Sequence, residues 1–245
     1  MNKNSQLESV ACGWRATLAL MALALLAGCA GTARAPSDKD PFEGFNRAMF
    51  SVHEGIDKVA LKPLAKGYDA AVPLPAKMSI HNLYENIWDV NRGANALLQG
   101  KAEEGLTGFG RLLVNSTVGI FGLFDVASEL GMGAGDEDFG QTFGVWGVPD
   151  GPYVFLPLIG PNTMRDLAGW GVDQYSYPLW RQVDDVPLRN SLSVLRGVEV
   201  RASLLPTDRV VDEAALDKYA YIRSAYLQHR NSQVHDGKPP RLDDN

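Results

Sequence analysis

The chain has 245 residues, a formal charge of −6 and an isoelectric point near 5.2. That acidic balance argues against a nucleic-acid partner, because such a partner needs a basic face to displace phosphate counterions. Hydrophobic residues at 45% and charged residues at 21% exclude wholesale disorder, and two cysteines exclude a disulfide framework or a cysteine-built zinc site.

Residues 1–28 read as a secretory signal. Lys3 and Arg15 make a positive start, diluted by Glu8, and Ala16 to Leu26 is apolar apart from Thr17. That run is shorter than the roughly 20 residues of a membrane-spanning helix. It ends in Leu26-Ala27-Gly28-Cys29, which resembles a bacterial lipobox, with cleavage between Gly28 and Cys29 and a lipid on Cys29. Cleavage leaves 217 residues with a charge of −7 and Cys29 as the single cysteine. A cysteine nucleophile, a thiolate metal site and an internal disulfide are thereby excluded. Each buried acyl CH₂ contributes roughly 0.8 kcal/mol, so a multiply acylated cysteine is a lasting anchor. Ala30 stands where lipoproteins retained at the inner membrane usually carry Asp, so the resemblance implies the outer membrane.

Residues 29–40 are small and polar and read as a flexible tether, 41–231 as a single domain, and 232–245 as a disordered polar tail. The pattern within the domain is helical. Ile80, Leu83, Ile87, Val90, Ala94 and Leu97 recur at spacings of three and four and predict one amphipathic helix with an apolar stripe. Leu188, Leu192, Leu195, Ala202 and Leu205 predict a second, and a third is expected from about Asp208 to Arg230. Thr163 to Asp166 reads as a capping box, with Asp in place of Glu. The best strand signal is Tyr153 to Leu156, bracketed by prolines. Three stretches are unusual for a water-soluble core: Phe42 to Phe50, the uncharged Leu112 to Phe124, and the aromatic, Gly- and Pro-rich Phe143 to Ile159. Each suits either an interfacial position or a buried core, and Trp88, Trp146, Trp170 and Trp180 suit headgroup depth.

Catalytic signatures are missing from the sequence. There is no G-x-S-x-G elbow and no H-E-x-x-H, and His53, His81, His229 and His235 lack ligand-like spacing. Gly131 to Asp136 reads as a flexible connection rather than a dinucleotide loop, and Asp136-Glu137-Asp138 as a solvated loop. The expectation is no catalytic residue, no metal and no cofactor.

Several collinear blocks carry a family resemblance. Asp40-Pro41-Phe42-Glu43-Gly44-Phe45-Asn46-Arg47 opens the series. Phe139 to Gly144, Gly151-Pro152-Tyr153 and Leu156 to Asp166 follow, and Asp217, Tyr219, Arg223, Tyr226 and Arg230 close it. Together they resemble the MlaA/VacJ family of outer-membrane lipoproteins over about residues 40–231. The resemblance implies an all-α fold: a ring-like bundle of short amphipathic helices in the inner leaflet, with few or no strands. It implies removal of mislocalised phospholipid from the outer leaflet of the outer membrane, beside a trimeric porin, and delivery to a periplasmic lipid carrier. Within that frame Arg47, Arg111, Arg165, Arg201 and Arg223 are candidates for phosphate contact, each with an internal ion pair as the alternative. Phe42, Phe45, Met49 and Phe50 are candidates for acyl-chain contact, with Glu43 pairing to Arg47. Gly119 and Gly122 mark a candidate gating hairpin, with tight helix packing as the alternative. Two rival readings remain: a structural porin adaptor, and a lipid-modifying enzyme using Ser116 or His81.

Overall fold

The computed structural model describes residues 39–176 and 183–239. The signal segment, Gly28, Cys29, almost all of the tether and Trp180 lie outside these residues.

The first helix, α1 (Glu43–Ile56), runs through one π-helical turn (Asp57–Leu61) into α2 (Lys62–Ala71). Pro63 accounts for the wide turn. A proline ring inside a helix clashes with the carbonyl four residues back, and here the Lys62 N–H bonds to Asp57 O, five residues back. The helix therefore runs on past the polar Ser51 to Glu54, and His53 turns towards Phe155 and accepts from the Leu158 N–H at 3.2 Å.

Val72-Pro73 breaks the chain before α3 (Leu74–Leu98), which folds back through Gly100 onto α4 (Ala102–Thr117). Small residues set this crossing: a Cβ on Gly108 would stand 3.0 Å from the Gly93 Cα, and one on Gly105 the same distance from the Gly93 carbonyl. After short helices α5 (Val126–Glu129) and α6 (Phe139–Val145) comes an antiparallel hairpin, β1 (Tyr153–Leu156) and β2 (Gly160–Thr163), with Tyr153 opposite Thr163. The chain then enters α7 (Met164–Ser176), α8 (Val186–Ser203), α9 (Leu205–Ala214) and α10 (Lys218–Val234). None of the described helices is long and apolar enough to cross a membrane.

The architecture is helical with one small sheet, as the sequence predicts, and four local expectations change. The single helix expected over 208–230 is broken at Ala215–Asp217, where the Asp217 carboxylate accepts from the Ala220 N–H at 3.1 Å and starts α10 afresh. That helix continues to Val234, so the polar tail begins later than residue 232. Asp40, assigned to the tether, is fully buried. The capping box is half made: Thr163 Oγ1 accepts from the Asp166 N–H at 3.2 Å, but the Asp166 carboxylate turns to other partners.

Phe50 is a further correction. Expected among acyl chains, it is 8% exposed and sits edge-on to Phe155 at 5.3 Å and to Tyr219 at 5.9 Å. The cause lies one turn earlier. Asn46 donates to the Tyr153 carbonyl at 3.0 Å and accepts from the Phe155 N–H at 2.9 Å, which docks α1 on β1 and carries Phe50 inward. Phe42 remains exposed, while Phe45 and Met49 are half-buried.

Helix α3 carries the predicted stripe, but the stripe is not the buried face. Ile80, Leu83, Ile87, Val90 and Ala94 are only partly covered and Leu97 is exposed. The covered positions include Asn86, Asp89, Asn91 and Asn95.

Candidate functional site

Three networks of charge lie inside the fold. The first ties the two ends of the domain together. Asp40 accepts from Asn46 at 2.8 Å, from the Tyr219 hydroxyl at 2.5 Å and from Arg223 at 2.6 Å. Arg47 is held by Glu43 at 2.8 Å and by both oxygens of Asp217, and its guanidinium lies 4.6 Å from the Tyr219 ring centroid. Burial and the Asp40 carboxylate together push the Tyr219 phenol above its ordinary pKa.

The second network joins α6, α7 and α10. Arg230 bonds both oxygens of Asp138 and reaches Asp166 at 3.0 Å; Tyr226 donates to Asp166 at 2.8 Å; Arg165 bridges Asp166 and Asp150. Gly140 and Gly144 lie close against this network: a Cβ would stand 2.6 Å from Arg230 Nη2 at Gly140, and 2.9 Å from Val234 Cγ1 and 3.0 Å from Arg165 Nη1 at Gly144. The acidic loop expected to be solvated is built into this region. Asp138 caps α6, and Glu137 is buried against Lys101 and Gln99.

The third network lies on α3, α4 and α8. His81 Nδ1 meets Glu199 at 2.9 Å, Glu199 meets Arg196 at 2.6 Å, and Arg196 meets Glu85 at 2.7 Å. Arg92 then links Glu85 at 2.5 Å to Asp89 at 3.2 Å, and Arg111 links Asp89 at 3.2 Å to Asp125 at 3.1 Å. Burial raises the pKa of Glu85, but Arg92 and Arg196 outweigh it and leave the carboxylate below its ordinary value. Asp89 goes the other way, with burial outweighing Arg111 and Arg92. Asp125, at the opposite end from His81, is lowered to about 2 against burial by Ser128, Asn115 and Arg111.

Each of the five candidate arginines is thus joined to carboxylates. Arg47, Arg111, Arg165 and Arg223 lie in these networks, and Arg201 pairs with Asp57 at 2.6 Å and Asp208 at 2.9 Å. A phosphate reaching any of them competes with a carboxylate already in place, and Arg201 Nη1 is a buried donor without a partner among the described residues. Gly119 and Gly122 are both covered. A Cβ on Gly119 would lie 2.2 Å from the Phe124 carbonyl, and one on Gly122, whose φ is +86°, 2.6 Å from Asn86. Between them Ile120 and Phe121 also take positive φ, 52° and 57°, and Phe121 is 80% exposed. The result is a tightly built turn with an apolar tip. Ser116 and His81 are bonded to Asn86 and Glu199 respectively, not to each other. An open groove of about 460 Å³ runs along α8 beside Val194, Leu195 and Val198.

Sequence reasoning missed Glu85, Asp89, Arg92, Arg196 and Glu199. Positions 81, 85, 89 and 92 fall on one side of a helix, and that periodicity of charge was the available signal. Attention to the apolar stripe hid it.

Polarity is inverted across the molecule. Among the described residues eight apolar side chains are buried, eighteen polar or charged ones are buried, and thirty-three large apolar ones are exposed. A water-soluble domain hides apolar area and leaves charge outside. The reverse distribution, on helices of which none described is long and apolar enough to cross a membrane, defines a membrane-associated helical protein with a charged interior. The chain belongs to the MlaA lipoprotein family, whose profile matches residues 38–233. It is 33% identical over 230 residues to the Intermembrane phospholipid transport system lipoprotein MlaA of Escherichia coli strain K12, covering 90% of each chain. It is 32% identical over 228 residues to the protein of the same name in Haemophilus influenzae, again covering 90% of each. A solved structure described as "Structural basis for maintenance of bacterial outer membrane lipid asymmetry" superposes with a TM-score of 0.70 at 34% identity, covering 80% of this chain and 98% of the other.

Proposed function

We propose that this protein is a lipid conduit of the outer membrane. It takes mislocalised phospholipid from the outer leaflet and passes it to a periplasmic carrier, which maintains lipid asymmetry. The lipid on Cys29 anchors it from the periplasmic side, its helices form a ring in the inner leaflet, and a trimeric porin sits beside it. It performs no turnover chemistry.

The observation that carries this reading is the inverted polarity. Exposed apolar side chains suit acyl chains, and interior charge offers a headgroup a polar environment inside hydrocarbon, where an unmatched charge is costly. The relatives named for intermembrane phospholipid transport support the direction of the reading. The turn at 118–124 is the proposed gate, with its apolar tip in lipid and its base held by Asn86 and Asn115.

The test is surface phospholipid in a deletion strain, complemented with wild type or with Cys29→Ala. Deletion should raise outer-leaflet phospholipid, and only the lipidated protein should lower it again. Unchanged surface lipid on deletion, with no other gene supplying the activity, would favour the porin-adaptor reading. Release of lysophospholipid or free fatty acid by purified protein would favour the enzyme.

A further inference from the structure

We propose that the open end of the third charge network, Arg196 between Glu85 and Glu199, is a headgroup subsite that selects a zwitterionic, amine-bearing phospholipid over an anionic one. This rests on the lipid-conduit reading and adds a specificity to it.

Signs alternate strictly along the network, from His81 through Glu199, Arg196, Glu85, Arg92, Asp89 and Arg111 to Asp125. Along α3 it occupies positions 81 to 92, about 16 Å of helix at about 1.5 Å per residue. That is close to half of a hydrocarbon core of roughly 30 Å, the thickness of one leaflet. Access is graded. The middle is closed, with the Asp89 side chain 1% exposed, whereas those of His81 and Arg196 are 51% and 30% exposed. Of the three guanidiniums, a phosphate therefore meets Arg196 first, since those of Arg92 and Arg111 are 16% and 4% exposed. The Tyr84 ring lies under that guanidinium, with its centroid 5.3 Å away, and fixes its plane.

Two further donors lie along the same stretch. Arg92 Nε and the Tyr68 hydroxyl are buried and have no hydrogen-bond partner among the described residues. Tyr68 is near enough to Glu199 for that carboxylate to add to burial in raising the phenol pKa. A buried donor without an acceptor is costly, and a phosphate oxygen is an acceptor.

Selectivity follows from charge balance. A phosphate that takes the Nη1 or Nη2 edge of Arg196 displaces Glu199 or Glu85. If the incoming headgroup also carries an ammonium, the displaced carboxylate gains a partner and no charge is left alone. If the headgroup is only anionic, a carboxylate is stranded, and Glu199 is 7% exposed. The network holds four carboxylates against three guanidiniums and one imidazole, so it offers no surplus positive charge to an anionic lipid.

The experiment uses the full-length lipidated protein in vesicles of equal phosphatidylethanolamine and phosphatidylglycerol with matched acyl chains. Protein is extracted in mild detergent, and its co-isolated lipid is measured by mass spectrometry. The ethanolamine-to-glycerol ratio should exceed that of the vesicles by roughly two- to fivefold, the scale of one partly exposed ion pair. Glu85→Gln, alone and with Glu199→Gln, should move the ratio towards the anionic lipid. Glu103→Gln with Glu104→Gln, on the exposed start of α4, should leave it unchanged. The wild-type ratio needs no variant to fold. Bound lipid at the vesicle ratio overturns the subsite and leaves the conduit standing. Absence of any co-isolated phospholipid overturns both. Added soluble phosphoethanolamine should not shift the ratio; a shift would place the ligand in solution and overturn the lipid assignment.

Discussion

The Tyr219 hydroxyl donates to Asp40 Oδ2 at 2.5 Å across 179 residues of chain, and Arg223 donates to the same oxygen at 2.6 Å. Asp40 thereby fixes the chain just ahead of α1 to α10. The opening family motif reads physically as a clasp. Asp40 and Asn46 bond each other and β1, Glu43 and Arg47 pair with the α10 side, and Phe50 follows into the core. Asp40→Asn keeps the size and removes the charge opposite Arg223. Breaking a buried pair in this way costs about 3 kcal/mol. Denaturant unfolding of the purified protein should show that loss, and Tyr219→Phe should lose less, about 1 kcal/mol, because it deletes one hydrogen bond.

Glycine at 122 is required on two counts, and 131 separates them. Both have φ above +80°, but a Cβ at Gly131 meets nothing within 4 Å, whereas one at Gly122 meets Asn86 at 2.6 Å. Gly131→Ala should cost about 1 kcal/mol from backbone strain alone. Gly122→Ala should cost about 1–3 kcal/mol more, because Asn86 is buried and cannot step aside. Equal losses in thermal unfolding would mean that the turn yields easily at its base.

Helix existence was legible and helix orientation was not. The three-and-four spacing of Ile80 to Leu97 gives α3 whichever side faces the core, because periodicity carries no sign. In water the apolar side goes in; here Asp89 and Asn95 go in, and only the surrounding medium decides. Tyr153 to Leu156 was readable as a strand because its aromatic and β-branched residues are bracketed by turn signals. The break at Ala215–Asp217 was hidden in an unbroken helical pattern, although Asp217 is a good cap. The motif arginines looked like phosphate receptors because sequence shows a cation and not the distant carboxylate that claims it. Arg223 and Asp40 are 183 positions apart.

The apolar tip of the 118–124 turn makes a prediction that separates folding from membrane function. Phe121 is 80% exposed, so Phe121→Asp removes no core contact and should change stability in detergent by less than about 0.5 kcal/mol. In a bilayer the same carboxylate would face hydrocarbon, at a cost of about 2.5–3.5 kcal/mol on insertion scales. The variant should fold and yet fail to lower surface phospholipid in the deletion strain. A variant that complements fully would show that the tip does not sit in lipid.

Asp173 gives the protein a pH dependence of known sign. Its side chain is 3% exposed, with Oδ2 accepting from the Phe139 N–H at 3.2 Å and Oδ1 buried without a partner among the described residues. Burial first, and then the nearby Asp138 carboxylate, push its pKa up to about 7, while the Phe139 N–H, Arg230 and Asn95 pull the other way. An unfolded aspartate titrates at about 3.9. Between those values the folded protein holds a proton that the unfolded chain has released, so the contribution of Asp173 to stability falls as pH rises from about 4 to about 7 and is level above. Asp173→Asn keeps an acceptor for Phe139 and cannot ionise. Its stability relative to wild type should therefore rise across that interval, by about 4 kcal/mol in all. Urea unfolding of both proteins at pH 5, 6, 7 and 8 measures it. A difference that stays flat with pH would mean that Asp173 is already ionised in the folded protein at the acid end, with Arg230 as its effective partner.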